Sequence, residues 1–412
     1  MFERSPSREW VSWLLVAAWS LVIFATIPLA RAIQHIVREA VGEQAFLYAV
    51  LVAILVTFLA TFRHLRGLGR ISPVRGAWLV GVAAVYAGYA FTLRRAPVEA
   101  VHFLQYGVLG VLAFRALTHR MRDPGIYLAA ALVGGIVGIL DEAIQWMTPR
   151  RVWDLRDVWF NFFAASLIQV AIAAGIRPPL IAGTPTPRSV RLSCRIAALA
   201  TLLLLASLLN TPPRIAWYAE RIPGLGFLRE RSDVMLEYGH LYEVPEIGRF
   251  RSRFSPAEIE HIDAERGAEA GRILAGSSEA DYESFLERYT PISDPFLHEV
   301  RVHLFRRDRY LTTAERHLED EDWYRRDLTV GYRENRILER FFPNTLRHSG
   351  SSFTPERRAH LAQRQFPEKS YESRVSSHLV TRVGERHVVA GLAAILLALL
   401  GIHGAARRRM RR

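Results

Sequence analysis

The sequence predicts an all-α membrane protein: a multi-pass transmembrane helical bundle of about eight spans, with an α-rich extracytoplasmic domain inserted before the last span. Two observations favour this fold class. Runs of roughly 20 apolar residues, the length an α-helix needs to cross a bilayer core, recur along the 412-residue chain. Residues 211–386, by contrast, are densely charged and contain no long apolar run. The mean hydropathy of +0.09 therefore averages two unlike kinds of sequence.

The predicted spans divide the chain into membrane and soluble segments. They cover residues 10–30, 45–62, 77–93, 101–117, 126–146, 157–176, 196–210 and 387–406. The first span lacks a small-residue cleavage site, so we interpret it as an anchor and not as a removed signal peptide. The resulting segments are N-terminal spans (1–76), a membrane core (77–176), a loop with the seventh span (177–210), a soluble domain (211–386), and a last span with a basic tail (387–412).

The net charge of +13 comes almost entirely from arginine. In a multi-span protein this favours a topology signal over nucleic-acid binding, because cytoplasmic loops are enriched in basic residues. The arginine-rich segments predicted to be cytoplasmic are 63–76, 118–125, 177–195 and the C-terminal tail. Both termini are then inside a bacterial cytoplasmic membrane, and the segments predicted outside are 31–44, 94–100, 147–156 and 211–386. The arginines of 147–156 break this pattern, which indicates another role for them.

A polar segment, DEAIQWMTPRRVWDLRDVWFN at 141–161, interrupts the apolar core between the fifth and sixth spans. Helical spacing places polar residues on one face of each span: Asp141 with Gln145, Asp157 with Asn161, and Glu99 with His102 and Tyr106. All three faces are predicted at the same depth on the outer side. Ionisable groups inside a span are energetically costly and indicate a functional site.

These residues together resemble the VanZ-like family, named after the teicoplanin-resistance protein. The matching positions are His102, Phe103 and Tyr106 in one span, Asp141, Glu142 and Gln145 at the end of the next, Pro149 and Arg151 in the loop, and Asp157 and Asn161 in a third. The resemblance covers roughly residues 77–176. Many members have lysine at the position of Glu99, and glycine where Arg150 and Ala164 stand. The resemblance implies an integral membrane protein that contributes to glycopeptide resistance, without implying a particular reaction.

The residue types favour acid–base chemistry on an anionic envelope substrate. Asp141 and Glu142 are the candidate acid and base, and His102 is the candidate proton carrier. Guanidinium groups match phosphate and carboxylate, so Arg151 and Arg150 are the candidate anion clamp. The other candidate substrate-binding residues are Tyr106, Gln145, Asp157 and Asn161. The expected partners are the lipid bilayer and a lipid-linked envelope precursor or a glycopeptide; the spacing is not that of a metal site, and no cofactor is indicated.

Other interpretations remain open at the sequence level. Buried Asp, Arg, Gln and Asn side chains can simply bond across helices, at about 0.6 to 2 kcal/mol each. A non-enzymatic protein could bind an envelope component or a glycopeptide without turnover. A proton-coupled transporter is a third interpretation, disfavoured because the polar groups cluster at one outer end and no inverted repeat is evident.

The soluble domain is predicted to contain helices over 255–276, 277–289 and 300–318. Ser255 is the expected N-cap of the first, with Glu258 completing a capping box. Candidate ligands for a cation or a substrate are His240, Glu243, Glu246, His298 and His303, although a solvated polar surface is the favoured interpretation of each. Because spans flank the domain on both sides, we predict that it stays near the outer mouth of the polar site as a cap.

Overall fold

The computed structural model describes residues 6–42, 44–94, 97–148, 151–367 and 370–411. The chain divides into two compact units, which we call the span unit (Met1–Ser207 with Ala390–Arg412) and the inserted unit (Leu208–Val389). The strands among the described residues are confined to one short hairpin, and helices account for nearly all other regular structure. The predicted all-α fold class is confirmed.

The span unit consists of long apolar helices. They are α1 (Pro6–Val41), α2 (Ala45–Gly67), α3 (Pro73–Thr92), α4 (Pro97–Leu117), α5 (Gly125–Met147), α6 (Leu155–Val170, continued by a π-helical turn over Ala171–Ile176), α7 (Pro187–Leu208) and α15 (Glu385–Arg409). Within the described residues, eight helices are long and apolar enough to cross a membrane, as the sequence predicts. The chain is therefore a multi-span membrane protein.

Two helix boundaries differ from the sequence prediction. Helix α7 begins at Pro187 and not at residue 196, so Arg188, Arg191 and Arg195 lie on the helix and not in the preceding loop. Arginine lowers hydropathy without breaking a helix, which is why a hydropathy criterion places the start too late. Helix α1 likewise continues to Val41, through most of the segment predicted as the loop 31–44.

Helix α5 is the most enclosed of the spans. Of its apolar window 61% is buried, compared with 11% for α7 and 0% for α15. It packs against α4 and α6, and α4 in turn packs against α1. The helices that carry the polar motif therefore form the centre of the span unit, whereas α7 and α15 lie with most of their surface exposed.

Glycines bring α5 and α6 into close contact. A Cβ atom added at Gly134 would lie 2.5 Å from the Cβ of Ala165, and one added at Gly138 would lie 2.9 Å from the Cβ of Asn161. The two glycines are four residues apart, as are their two partners, so they form one stripe of backbone approach of the kind that favours helix association in membranes. This approach holds the polar ends of α5 and α6 together.

Polar side chains fix α4 on three sides. The indole of Trp19 on α1 donates to the carbonyl of Gln105 at 2.9 Å. The side-chain amide of Gln169 on α6 donates to the carbonyl of Gly110 at 2.9 Å. The hydroxyl of Tyr86 on α3 donates to the carbonyl of Phe103 at 2.7 Å. Each bond satisfies a buried polar group, and together they set the rotation of α4.

The inserted unit combines short helices with one hairpin. Its elements are α8 (Pro212–Arg221), a 3-10 turn (Gly226–Glu230), β1 (His240–Val244), β2 (Gly248–Ser252), α9 (Pro256–Ala275), α10 (Tyr282–Arg288), α11 (Pro295–Arg316), α12 (Glu321–Phe341), α13 (Pro343–His348) and α14 (Pro355–Arg364). The strands pair antiparallel, with Tyr242 opposite Phe250. Helices α11 and α12 pack against each other over a core that contains Phe250, Phe296 and Phe342.

The predicted helices of this unit are present with adjusted ends. Helix α9 has the expected cap: Ser255 accepts from the backbone of Glu258, whose side chain accepts from the backbone of Ser255. The segment 277–289 is helical only over Tyr282–Arg288, and the segment 300–318 lies mostly within the longer α11. The hairpin and helices α12 to α14 were not predicted.

Candidate functional site

The site is centred on Asp141, whose side chain is fully buried near the C-terminal end of α5. The hydroxyl of Tyr106 on α4 donates to Asp141 Oδ2 at 3.0 Å, and His102 Nδ1 lies 4.0 Å from the same oxygen. His102 and Tyr106 are one helical turn apart, so both reach one carboxylate. The second oxygen, Oδ1, is buried and accepts no hydrogen bond within the described residues.

The adjacent carboxylate, Glu142, has a different environment. It is also buried, but its oxygens accept from the side-chain amide of Gln145 at 2.8 Å and from the backbone N–H of Asp154 at 3.3 Å. The side chain of Asp154 caps α6 by accepting from the backbone N–H of Arg156 at 2.8 Å. Glu142 therefore joins the end of α5 to the start of α6.

The remaining predicted residues surround this pair unequally. Asn161 of α6 is buried against Gly138 of α5. Gly138 lies about one helical turn before Asp141 on the same helix. Asp157 is partly buried and lies within electrostatic range of Glu142. The positive charge of Arg151 lies within electrostatic range of His102 and of Asp141.

Glu99 reaches this centre through its charge, which lies within electrostatic range of Asp157, and two further motif positions fall outside the described residues. Glu99, on the first turn of α4, is exposed. Pro149 and Arg150 lie outside the described residues, so the predicted role of Arg150 in an anion clamp stays a prediction.

An aromatic cluster that the sequence analysis missed holds the α4 side of the site. Tyr89 on α3 stacks on Phe103, with ring centroids 5.0 Å apart, and packs edge-on against Phe160 and Phe163 of α6 at 5.2 and 5.7 Å. Phe103 directly follows His102, so this packing fixes the imidazole's position on the helix. The signal available in the sequence is the pair of tyrosines in YAGYAF, three residues apart on α3.

The arrangement can accept, donate and hold protons within a buried setting. It contains two carboxylates, an imidazole and a phenol, and one of the carboxylate oxygens is buried without a protein donor. These groups suit acid–base chemistry or the binding of a polar ligand. Within the described ranges, no group of three or more His, Cys, Asp and Glu side chains has an arrangement suited to a metal ion.

Three of the five candidate ligands of the inserted unit lie in separate ion pairs. Glu243 pairs with Arg249 at 3.0 Å, and Glu246 pairs with Arg336 at 3.5 Å. His303 is fully buried and lies 2.6 Å from Glu334. These contacts account for the three residues through local structure.

His298 is expected to make the inserted unit sensitive to acid. Burial lowers the pKa of His298 to about 3, and the charges of Arg253 and His378 act in the same direction. Below the ordinary histidine pKa of about 6.5, the unfolded chain takes up a proton that the folded chain does not, so the free energy of unfolding falls as the pH falls. Between about pH 6.5 and about pH 5 the loss reaches at most about 2 kcal/mol.

Removing this imidazole is the test. In His298→Gln, the melting temperature of the inserted unit should fall less between about pH 7 and about pH 5 than it does in the parent chain. His261→Gln is the matched control, because His261 is 69% exposed on its side chain. Equal pH dependence in the parent chain and in His298→Gln would contradict the assignment.

Comparison of the chain with family models, with curated proteins and with solved structures finds no match. The resemblance to the VanZ-like family therefore depends on the motif residues and their spacing. The functional argument depends on the positions of those residues in the span unit.

Proposed function

We propose that the chain is a VanZ-like integral membrane protein that acts at the outer face of the bacterial cytoplasmic membrane on a cell-envelope or lipid-linked substrate. One observation carries the proposal: Tyr106 and His102 of α4 converge on the fully buried Asp141 of α5, beside the buried Glu142. Buried ionisable groups in a membrane span are costly and are retained mainly where function needs them.

The proposed topology has both termini in the cytoplasm. The arginine-rich loops and tail support it, since positive residues concentrate on the cytoplasmic side. In this topology the C-terminal end of α5 and the start of α6 face outward, and the inserted unit is extracytoplasmic. The chain enters that unit from α7 and leaves it into α15.

In the proposed mechanism, each buried group has a separate task. Asp141 accepts a proton from the substrate or returns one, His102 exchanges protons with it, and Tyr106 holds the carboxylate in place by donating to Oδ2. Glu142, fixed by Gln145, supplies the second carboxylate. Arg151 provides positive charge for a phosphate or carboxylate of the substrate.

The hydrogen bonds of Glu142 favour a second candidate function. Both of its oxygens already accept from protein donors, one of them a backbone N–H of the following loop. A carboxylate held in this way can shape a site without reacting. The second candidate is therefore a non-enzymatic protein that binds an envelope component or a glycopeptide.

Teicoplanin susceptibility of a sensitive host tests the proposal. We expect the intact chain to raise resistance and Asp141→Asn to return it to the level of the empty host, since removing an acid–base group slows a reaction by about 10²- to 10⁴-fold. Glu39→Gln is the matched control, an exposed carboxylate on α1 that should keep full resistance. Membrane levels of all variants must be equal.

The outcomes separate the two candidates. Full resistance from Asp141→Asn would remove this carboxylate from the function. No resistance from any chain that inserts well would mean that the phenotype of the resembled family does not extend to this protein. Where resistance depends on Asp141, turnover of a lipid-linked precursor by the purified chain indicates an enzyme, and saturable binding without turnover indicates the non-enzymatic protein.

A further inference from the structure

A second candidate site lies in the inserted unit, far along the chain from the polar motif. One face of α11, a residue at the start of α10 and the segment 374–375 line a cavity of about 490 Å³. Its lining combines aromatic rings with guanidinium groups: Tyr282, Phe305, Arg306, Arg309, Tyr310 and Arg374. We call this cavity the arginine cleft.

Two of the three arginines of the cleft have no ion pair within the described residues. Arg309 and Arg374 are both exposed, and neither lies within 4.0 Å of a carboxylate oxygen among the described residues. Arg306 is less exposed and is paired, with its Nε 2.9 Å from Glu334 Oε1. Two guanidinium groups are thus available to a ligand, beside a third that is held in place.

A buried carboxylate organises both walls of the cleft. Glu334 on α12 is fully buried, and besides Arg306 of α11 it accepts from the hydroxyl of Tyr371 at 2.5 Å and from that of Ser373 at 2.6 Å. Arg374 directly follows Ser373, so these bonds fix the backbone that presents it. The side chain of Arg306 and the backbone of Arg374 are therefore positioned before any ligand binds, which lowers the entropic cost of binding.

Aromatic rings form a flat wall beside the charges. Tyr282 stacks on Phe305, with ring centroids 3.6 Å apart and planes inclined by 12°. The guanidinium carbon of Arg306 lies 4.7 Å from the ring centroid of Tyr310. The guanidinium carbon of Arg309 lies 5.7 Å from the ring centroid of Phe305. The rings orient the guanidinium groups and offer apolar surface to the organic part of a ligand.

We propose that the arginine cleft binds a phosphate-bearing ligand. Guanidinium groups bind phosphate oxygens in a bidentate manner, and several of them on one cleft suit a phosphate or diphosphate better than a single carboxylate. The phosphate can belong to a soluble molecule or to a lipid headgroup. The assignment is independent of the function proposed for the span unit, because it uses no residue of that site.

Calorimetric titration of the full-length chain with inorganic pyrophosphate tests the proposal. The chain is held in nanodiscs of neutral phosphatidylcholine. We expect saturable binding that Arg309→Gln and Arg374→Gln each weaken about tenfold, the equivalent of one lost charge-assisted bond. Arg272→Gln, which removes an exposed arginine from α9, is the matched control and should bind as the parent chain does.

A second set of nanodiscs distinguishes the sources of phosphate. If a lipid headgroup is the ligand, adding anionic phosphatidylglycerol should weaken pyrophosphate binding by competition in the parent chain. Pyrophosphate binding unaffected by that lipid, and weakened in both cleft variants, would indicate a soluble ligand. Arg374→Lys keeps the positive charge but lacks the planar guanidinium group. It replaces Arg374→Gln in the titration if Arg374→Gln lowers the melting temperature. Absence of pyrophosphate binding, or equal binding by parent and cleft variants, would overturn the proposal.

Discussion

Replacing Glu334 with alanine is expected to destabilise the inserted unit by about 3 to 5 kcal/mol. The carboxylate is fully buried and is the shared acceptor for His303 at 2.6 Å, Arg306, Tyr371 and Ser373. Its removal leaves one positive charge and several buried donors without their partner, and such losses cost more than the original bonds contribute. Hydrogen exchange of α11 and α12 in the full-length chain measures the effect.

The control for this experiment is Glu315→Ala. Glu315 lies on α11 and is exposed, so its loss should change protection by no more than about 0.5 kcal/mol. Unchanged protection of α11 and α12 in Glu334→Ala would show that the network contributes no stability. The arginine cleft should also lose pyrophosphate binding in this variant, since Glu334 fixes both of its walls.

The same carboxylate has a defined pH dependence. Burial alone would raise the pKa of Glu334, but the neighbouring His303 and the hydrogen bonds from Ser373 and Tyr371 outweigh it and hold the pKa below its usual range. A depressed carboxylate pKa stabilises the fold above the ordinary glutamate pKa of about 4.3 and loses that contribution as the pH falls through the lower folded value. The parent chain should therefore lose stability below about pH 4.3, and Glu334→Ala should lack this component.

The sequence was sufficient to place three of the polar motif residues on neighbouring helices. Spacing alone put His102 and Tyr106 on one face of α4, and both reach Asp141 in the structure. It could not supply the backbone partner of Glu142, because the N–H of Asp154 reaches that carboxylate only through the path of the loop between α5 and α6. Tyr86 and Tyr89 were also missed, since aromatic residues in a span are as common at lipid contacts as at a site.

Helix α12 shows why the inserted unit resisted prediction. Its buried positions include the charged or polar Asp327, Arg333, Glu334 and Asn335 beside the apolar Leu328, Ile337 and Leu338. The helix is amphipathic, but its many charged residues hide it when a sequence is searched for apolar runs. The partners that make these polar residues compatible with burial, such as Tyr371 and Ser373, lie far away in the sequence and cannot be inferred from it.

The packing of α5 on α6 yields the second large expected effect. Gly134→Leu should destabilise the span unit by about 3 kcal/mol, because even its Cβ would lie 2.5 Å from that of Ala165 and the helices must separate. Separation would move Asp154 away from Glu142, so the function proposed for this site should fall with the folded fraction. Thermal stability in detergent, followed by size-exclusion elution, gives the measurement.

A rescue experiment separates helix contact from a general intolerance of larger residues. Gly134→Ala should still be destabilising, although alanine favours helix over glycine by about 1 kcal/mol. Adding Ala165→Gly removes the Cβ atom that the new alanine at position 134 would contact. The next nearest atom, the Cα of residue 165, lies 4.0 Å from the added Cβ. The double variant should therefore regain stability relative to Gly134→Ala. Gly88→Ala on α3 is the control, since nothing lies within 4 Å of its added Cβ, and it should be neutral or slightly stabilising. Purely additive effects of the two substitutions would mean that the approach of α5 to α6 at this point does not hold the site together.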